Sequence, residues 1–368
     1  MLTYPTVFAV GDRYNIFVPF SDEVIMWVKV GEHTYFDECN GILRSNTNMH
    51  KVELPMAVLD SEKEYTLCYR KAIERRPYYP KFEDERQITL DFRPVPTSDP
   101  INIYHIADAH NLVDEPIRAG RFFGDKIDLL ILNGDIPNHS GDVKNFNAIC
   151  EIASGITGGN CPAVFARGNH DTRGIHAEDM PNYIPVQNGR TYYSFRVGSL
   201  WGLLLDCGED KRDGCDEYGG TVCFHSFRER ETAYIRDLVA NAENEYSAKG
   251  VEHRIVISHI PFSYIQPAPF DIEQEIYREW TRIMRDEIKP ELLLYGHLHH
   301  VAIHAPCSDF DSYSLQPCPA IVGSKPILPW SNSEGKTGFV GCAITLGGDQ
   351  ITVVFNDDQG NVVEKKAL

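Results

Sequence analysis

Five apolar segments in this chain run directly into aspartate, asparagine or histidine. The segments and the polar residues that follow them are INIYHIA before Asp108, DLLILN before Asp135, PAVFAR before Asn169, HRIVIS before His259 and ELLLYG before His297. Short apolar runs of this kind predict buried strands. Because the carboxyl ends of parallel strands form the ligand crevice of an open α/β sheet, we expect these polar residues to converge in the folded protein.

Seven side chains with metal-binding atoms follow these strands: Asp108, His110, Asp135, Asn169, His259, His297 and His299. Carboxylate and amide oxygens and neutral imidazole nitrogens are ligands for Zn, Mn or Fe. This is too many donors for one ion of ordinary coordination number, and it suits two ions that share a bridging carboxylate. The glycines at 134, 168 and 296 allow the chain to turn tightly beside these donors.

Between the strands, the sequence predicts helices over 115–126 and 141–153, the second capped near Ser140. A longer helix is expected to begin at Ser226, with Glu229 completing a capping box. Alternation of strands and helices with short connections indicates right-handed βαβ units and a largely parallel sheet. The class is therefore α/β from about residue 96 onward.

Residues 1–95 have a different pattern, with short alternating runs separated by polar turns and no helical period. They predict a small antiparallel β-sandwich domain, joined by the proline-rich segment 91–100 to a second domain over 96–368. The segment AVLDSEKEYTLCYR resembles the tyrosine corner of fibronectin type III-like sandwiches, in which the Tyr65 hydroxyl would bond to the backbone of the preceding turn. The alternative is an ordinary hairpin with a surface tyrosine.

The chain has 368 residues and a net charge of −18. Such a surface repels nucleic-acid duplexes and anionic membranes, so neither is expected as a partner. An anionic substrate would need a local positive centre, which a metal cluster can supply. No basic and apolar leader is visible at the N-terminus, which favours a cytoplasmic protein with most of its ten cysteines as buried free thiols.

The blocks DAH, NGD, GNHD, ISH and GHLH, in this order and each behind a strand, resemble the signature blocks of the calcineurin-like metallophosphoesterase family. The resemblance covers residues 101 to about 300. It implies two packed β-sheets flanked by helices, a four-layer α/β/β/α sandwich. It also implies one metal ion held by Asp108, His110, Asp135 and His299, and a second held by Asp135, Asn169, His259 and His297. Asp135 would bridge the two ions.

The resemblance further implies hydrolysis of phosphomonoesters or phosphodiesters by in-line attack of a metal-bridging hydroxide. His170 would assist the leaving-group oxygen without binding metal, and Asp171 would hold the other imidazole nitrogen. The small phosphorylated substrate, and the preference for monoester or diester, are left open because specificity resides in the loops.

The layout, an N-terminal sandwich before the catalytic domain, is similar to that of purple acid phosphatases, but three residues depart from their pattern. Asn138 stands where those enzymes have a tyrosine, His110 is present where they lack a histidine, and Asp171 replaces a glutamate. A tyrosinate ligand to ferric iron is therefore not expected. We expect Mn, Fe(II) or Zn.

Several alternatives remain open in the sequence. The fold also occurs in non-catalytic scaffolds that bind partner proteins, although those usually lose the histidine of the third block, and the N-terminal domain could serve as an interaction module. His139, Arg173 and His300 are candidate substrate contacts, with Arg173 alternatively in an ion pair, whereas His105 is expected to be a core histidine. The polar loop 207–222 is a candidate lid.

Overall fold

A computed structural model describes residues 1–348 and 350–368 of the chain. The strands, in chain order, are β1 (Thr6–Val10), β2 (Arg13–Pro19), β3 (Val24–Val30), β4 (His33–Phe36), β5 (Glu38–Cys39), β6 (Ile42–Leu43), β7 (Met49–Pro55), β8 (Glu64–Glu74), β9 (Lys81–Phe82), β10 (Arg86–Asp91), β11 (Ile101–Ile106), β12 (Leu129–Asn133), β13 (Pro162–Ala166), β14 (Tyr193–Val197), β15 (Leu200–Leu205), β16 (His253–Ser258), β17 (Leu292–Tyr295), β18 (Val301–His304), β19 (Ala320–Gly323), β20 (Lys325–Ile327), β21 (Gly338–Gly347), β22 (Gln350–Asp357) and β23 (Val362–Ala367). The helices are α1 (Met56–Glu62), α2 (Asp114–Gly120), α3 (Asn147–Thr157), α4 (Phe224–Ala240) and α5 (Gln274–Ile283).

The first sheet has ten strands in the order β23-β22-β21-β11-β12-β13-β1-β2-β7, with β20 paired to β21. Strands β11, β12, β13 and β1 run parallel to one another. Strands β12 and β13 are buried along their whole length, as a parallel strand covered on both faces must be. The predicted apolar strands of the first three blocks are therefore confirmed.

The second sheet has six strands in the order β14-β15-β16-β17-β19-β18, in which β15, β16, β17 and β19 are parallel. One face of each sheet contributes to a single apolar cluster, which contains Ile103 and Ile131 from the first sheet and Ile257 and Leu294 from the second. The outer face of the first sheet packs on α3, and the outer face of the second packs on α4 and α5. This is the expected four-layer α/β/β/α arrangement.

The N-terminal region forms two layers of antiparallel strands, but one layer is continuous with the first sheet. Strands β10-β8-β3-β4 form a separate sheet with β9 at its side, whereas β1, β2 and β7 extend the first sheet through the pairing of β1 with β13. Residues 1–95 therefore share a sheet with the rest of the chain. The region also contains the short helix α1, which its sequence pattern did not predict.

Tyr65 does not form the predicted tyrosine corner. Its buried hydroxyl donates to the carbonyl of Gly159, 94 residues away in the chain, at 2.9 Å. The preceding segment is helical, so its carbonyls are used within α1 and no open turn faces the hydroxyl. The tyrosine instead ties the N-terminal layer to the turn between α3 and β13.

Two predicted helix caps are also wrong. Ser140 donates to the carbonyl of Asp171, and Asp142 accepts from the amide of Lys144 at the start of the short 3-10 turn before α3. Helix α4 begins at Phe224, before Ser226, and its first amides donate to the carboxylate of Asp213 at 2.9 and 3.0 Å. A carboxylate distant in sequence thus replaces the local capping box.

The linker is fastened to the second sheet by His253, whose ring lies between two carboxylates. Its Nδ1 is 2.8 Å from Glu291 and its Nε2 is 2.6 Å from Asp99. The hydrogen bond to Glu291, with a further contribution from Asp99, raises the pKa of His253 to about 9 against the opposing effect of burial.

Within the described residues, no helix has the length and apolarity needed to cross a membrane. All ten cysteines are free, and six are buried.

Candidate metal centre

The five strands that carry the predicted donors belong to two sheets, and the residues that follow their carboxyl ends lie close together. Their potential ligand atoms form three overlapping groups in which every atom lies within 4.8 Å of the others: Asp108, His110 and His299; His110, Asp135 and His170; Asp135, His259 and His297. Asn169 joins the last group, because its Oδ1 is 3.0 Å from Nδ1 of His297. The structure thus brings together all seven residues that the sequence singled out.

Five of these seven residues have left-handed backbone conformations. They are Asp108 (φ 57°), His110 (φ 46°), Asp135 (φ 53°), His297 (φ 68°) and His299 (φ 52°). Each such conformation is unfavourable for a residue with a Cβ atom, by about 1–2 kcal/mol. Hydrogen bonds between the loops maintain these strained conformations. The amide of Asp108 donates to the carbonyl of Gly134, and that of His110 donates to the carbonyl of Asp135. Strain concentrated at one site is typical of functional loops.

The loops of the second and third blocks approach each other more closely than side chains would allow. A Cβ atom on Gly134, where φ is 80°, would lie 2.6 Å from Cα of Gly168. A Cβ atom on Gly168 would lie 2.5 Å from the amide nitrogen of Asp135. The two glycines are therefore required for the close packing that positions Asp135.

The first half of the centre contains Asp108, His110 and His299. The Nε2 atoms of the two histidines lie 3.0 Å apart, and Nε2 of His299 is 3.4 Å from the Asp108 carboxylate. On the far side of its ring, Nδ1 of His110 donates to Oδ1 of Asn138 at 3.2 Å. That contact leaves the His110 Nε2 lone pair directed at the centre.

The second half contains Asp135, Asn169, His259 and His297. Nδ1 of His259 donates to the carbonyl of Asn133 at 2.6 Å. Its buried Nε2 lies 3.1 Å from the Asp135 carboxylate, but in a geometry that leaves it without a hydrogen-bond partner. An imidazole fixed through one nitrogen, with the other unpaired and facing a carboxylate, is arranged as metal-ligating histidines are.

Asp135 lies between the two halves. Its Oδ2 atom is 3.1 Å from Nε2 of His259 and 4.0 Å from Nε2 of His110. Its other oxygen accepts the amide of His170 at 2.8 Å, which fixes the carboxylate plane. This position agrees with the bridging role that the family resemblance implies.

The buried carboxylates and imidazoles of the centre shift one another's pKa values. Burial alone would lower the pKa of His259, but Asp135 and Asp108 raise it to about 10. Burial lowers the pKa of His110 and of His297 to about 4, so both rings are neutral near pH 7. Burial opposes ionisation of Asp135, yet His259 keeps its pKa below the ordinary value. Carboxylates and imidazoles form a donor set that fits divalent transition metals, which bind the imidazole in its deprotonated form.

His170 lies at the edge of the centre, but Asp171 does not hold its ring as expected. Nδ1 of His170 donates to the backbone carbonyl of Asn138 at 2.9 Å, and its Nε2 faces Nη1 of Arg173 at 3.4 Å. The Asp171 carboxylate instead accepts the amides of Gly168 at 2.7 Å and Asp135 at 3.2 Å. Burial, reinforced by repulsion from Asp135, raises the pKa of Asp171. Asp171 therefore stabilises the loop through these bonds to backbone amides, and its carboxylate does not bind the His170 ring.

Arg173 forms the ion pair that the sequence left as one alternative. Its guanidinium makes two hydrogen bonds to Glu209, at 2.9 and 2.8 Å, and its Nη1 lies 3.4 Å from Nε2 of His170. The polar loop after β15 is thereby tied to the third block. The buried guanidinium of Arg228 holds the same loop by donating to the carbonyls of Cys207 and Glu209.

The other candidate residues lie around the centre in different settings. His105 is fully buried, with Nε2 3.1 Å from the Asn133 amide, which confirms the expected core role. His139 is exposed and contacts the Asn145 amide. His300 is exposed, beside the last block.

The sequence pattern does not identify two residues that orient the centre. Asn138 stands out in the sequence only because purple acid phosphatases have a tyrosine at that position. In the structure its side chain accepts a hydrogen bond from His110 and its carbonyl accepts one from His170. Glu209 follows β15, a sixth strand that runs parallel to β16. The segment LWGLLLD before it has the same pattern as the five blocks, and that pattern was the available signal.

Comparison with known proteins agrees with this geometry. The family model for the calcineurin-like phosphoesterases matches residues 101–301. A purple acid phosphatase, PPD1, from yellow lupin (Lupinus luteus) seeds has a similar fold, with a TM-score of 0.65 and 14% identity over 99% of this chain and 73% of that chain. The structure of PhoD is similar with a TM-score of 0.57 and 11% identity, over 99% and 88% of the two chains. No curated protein matches this chain significantly in sequence.

Proposed function

Because the chain belongs to the calcineurin-like phosphoesterase family, we propose that it is a dinuclear-metal phosphoesterase that hydrolyses phosphomonoesters or phosphodiesters. The observation that carries the proposal is the convergence of seven metal-binding side chains around Asp135, five of them held in strained conformations. Strain of this kind would persist only where the surrounding structure is built to hold it.

One ion would be held by Asp108, His110, Asp135 and His299, and the other by Asp135, Asn169, His259 and His297. Mn, Fe(II) and Zn all suit these donors. When bound, such ions supply positive charge for the phosphoryl oxygens and lower the pKa of water. Asn138 has no ionisable phenol, so a tyrosinate-to-iron chromophore is not expected at that position.

His170 is proposed to assist the leaving group. With Nδ1 fixed on the Asn138 carbonyl, Nε2 is the remaining ring atom that can carry a proton to a departing oxygen, once it is released from Nη1 of Arg173. Arg173, 3.4 Å from that atom, would limit the orientations of the ring. Glu209 in turn holds Arg173, so the loop after β15 contributes to the position of the acid.

Elemental analysis of the purified and metal-reconstituted protein tests the proposal, run beside assays on p-nitrophenyl phosphate and bis-p-nitrophenyl phosphate. We expect about two transition-metal equivalents with hydrolysis, and the ratio of the two rates reports monoester or diester preference. Asp135→Asn should reduce the metal content by at least one equivalent. Asp142→Asn is the matched control, because that exposed carboxylate only accepts the amide of Lys144.

A protein that remains metal-free and inactive after reconstitution with Mn, Fe and Zn would overturn the proposal. It would favour the non-catalytic scaffold instead.

A further inference from the structure

A cavity of about 500 Å³ lies beside the last metal-binding block and is not used by the chemistry described above. Its walls include Leu298 and His300, which flank His299 in sequence, His304 at the end of β18, and residues of two neighbouring loops: Tyr264, Ser308 and Phe310. The cavity volume is in the range of small-molecule sites. Because two of its lining residues flank His299, the cavity adjoins the last metal-binding block.

One wall of this cavity is an aromatic stack. The ring of Phe310 is parallel to that of Tyr264, with centroids 4.6 Å apart and planes at 8°. It is also parallel to the ring of His304, with centroids 4.0 Å apart and planes at 4°. Phe310 is buried, whereas Tyr264 and His304 are only partly covered, so the stack ends in accessible aromatic surface.

The cavity extends away from the metal centre. Strand β18 follows His300, ends at His304 and pairs antiparallel with β19. Val301 is its first residue, next to the last metal-binding block, and His304 lies at the opposite end of the strand. At a rise of about 3.3 Å per residue, the strand covers roughly 10 Å. That is enough for a ring and a sugar-sized spacer attached to a phosphoryl group.

Polar groups also belong to this wall. Asp309 is exposed at the cavity. Nε2 of His304 and Oγ of Ser308 have no hydrogen-bond partner among the described residues, but both atoms are buried. Burial, with a smaller effect of His300, lowers the pKa of His304, so its ring is neutral near pH 7. Because a neutral ring stacks well, recognition of a ligand here rests on the aromatic surface.

We propose that this aromatic cavity, formed by Tyr264, Leu298, His300, His304, Ser308 and Phe310, is a subsite for the planar ring of the substrate's leaving group. The substrate class is then a phosphate ester of an alcohol that carries an aromatic heterocycle, such as a nucleoside. The role in turnover rests on the proposed phosphoesterase activity, whereas binding of the ring does not depend on it.

The binding test uses adenosine and ribose as probes, titrated by calorimetry and by saturation-transfer NMR against the full chain. We expect adenosine to bind at least about 10-fold more tightly than ribose, as base stacking on aromatic side chains would give. Tyr264→Leu should abolish most of this difference, and Tyr264→Phe should retain it. Tyr313→Leu is the control, because Tyr313 is also partly buried but packs against Arg278 outside the cavity.

The kinetic test compares adenosine 5′-phosphate with ribose 5-phosphate. Both esters are cleaved at the same 5′-oxygen, and only the nucleotide carries the adenine ring. We expect kcat/KM to favour the nucleotide by about 10-fold or more, and Tyr264→Leu to bring the ratio toward one. Equal binding of adenosine and ribose, or a preference that survives Tyr264→Leu, would overturn the subsite. Hydrolysis of neither ester and of neither p-nitrophenyl substrate, together with selective adenosine binding, would overturn the proposed function and leave the subsite standing.

Discussion

Replacement of Asn138 by leucine should weaken the binding of one metal ion without disturbing the backbone that holds His170. The side-chain Oδ1 of Asn138 accepts from Nδ1 of His110 at 3.2 Å, and leucine has similar volume but no acceptor. The Nδ1–H group would then be left unpaired in a buried ring, at a cost of about 1–3 kcal/mol. Loss of such an outer hydrogen bond lowers metal affinity by about 10- to 100-fold.

The assay is titration of the metal-free protein with Zn²⁺ or Mn²⁺ in the presence of a competing chelator, which resolves two binding steps. We expect one step to weaken by about 10- to 100-fold in Asn138→Leu and the other to change much less. Asn138→Asp should restore tight binding because its carboxylate accepts the same bond. Asn145→Leu, which removes a partly buried amide that contacts His139, is the matched control.

An Asn138→Leu protein whose two dissociation constants stay within about twofold of the wild-type values would refute the reasoning. It would mean either that His110 keeps its orientation through packing alone or that His110 contributes little to metal affinity.

Three further predictions concern catalysis, helix capping and pH. His170→Asn should lower turnover by about 100-fold or more with metal content unchanged, and loss of metal in this variant would contradict the separate roles of acid and ligands. Asp213→Ala should destabilise the protein by about 0.5–2 kcal/mol in denaturant unfolding, because it removes the cap of α4, while Ser226→Ala should have no comparable effect. The raised pKa of His253, about 9 against an ordinary 6.5, predicts a stability contribution that is complete below pH 6.5 and is lost as the pH rises through 9. The unfolding midpoint of His253→Gln should lack that decline, and an unchanged pH profile would show that the ring does not titrate in this range.

Local patterns were sufficient for the α/β part of the fold. The strands β11, β12, β13, β16 and β17 are mostly apolar runs followed by polar residues, so both their existence and the strand ends that carry these residues could be read from the chain. Within each sheet the candidate donors lie together because parallel strands have their carboxyl ends on the same side, and the packing of the two sheets brings both sets together. These predictions depend on residues that are adjacent in sequence.

Residues 1–95 could not be predicted as well, because their layers are assembled by pairing across long separations. The alternation of the strands predicted two layers, but nothing near β1 indicated that it would pair with β13, more than 150 residues later. The same reason applies to Tyr65, whose hydroxyl donates to Gly159, 94 residues away. Outside this region, α4 takes its cap from Asp213, 11 residues before Phe224, and not from its own first turn. In each case the partner lies outside the local motif.

The sequence by itself determined the class of the fold, the candidate metal donors and the chemistry that their side chains suit. The type of a side chain and its position after a strand are local properties, so both can be read from the sequence. Only the tertiary structure decided how the centre is held: that Asn138 orients both His110 and His170, that Asp171 braces a loop, and that Tyr264 stacks on Phe310. Each of these contacts is made by loops at the ends of strands within one sheet, and sequence spacing carries no information about how such loops pack.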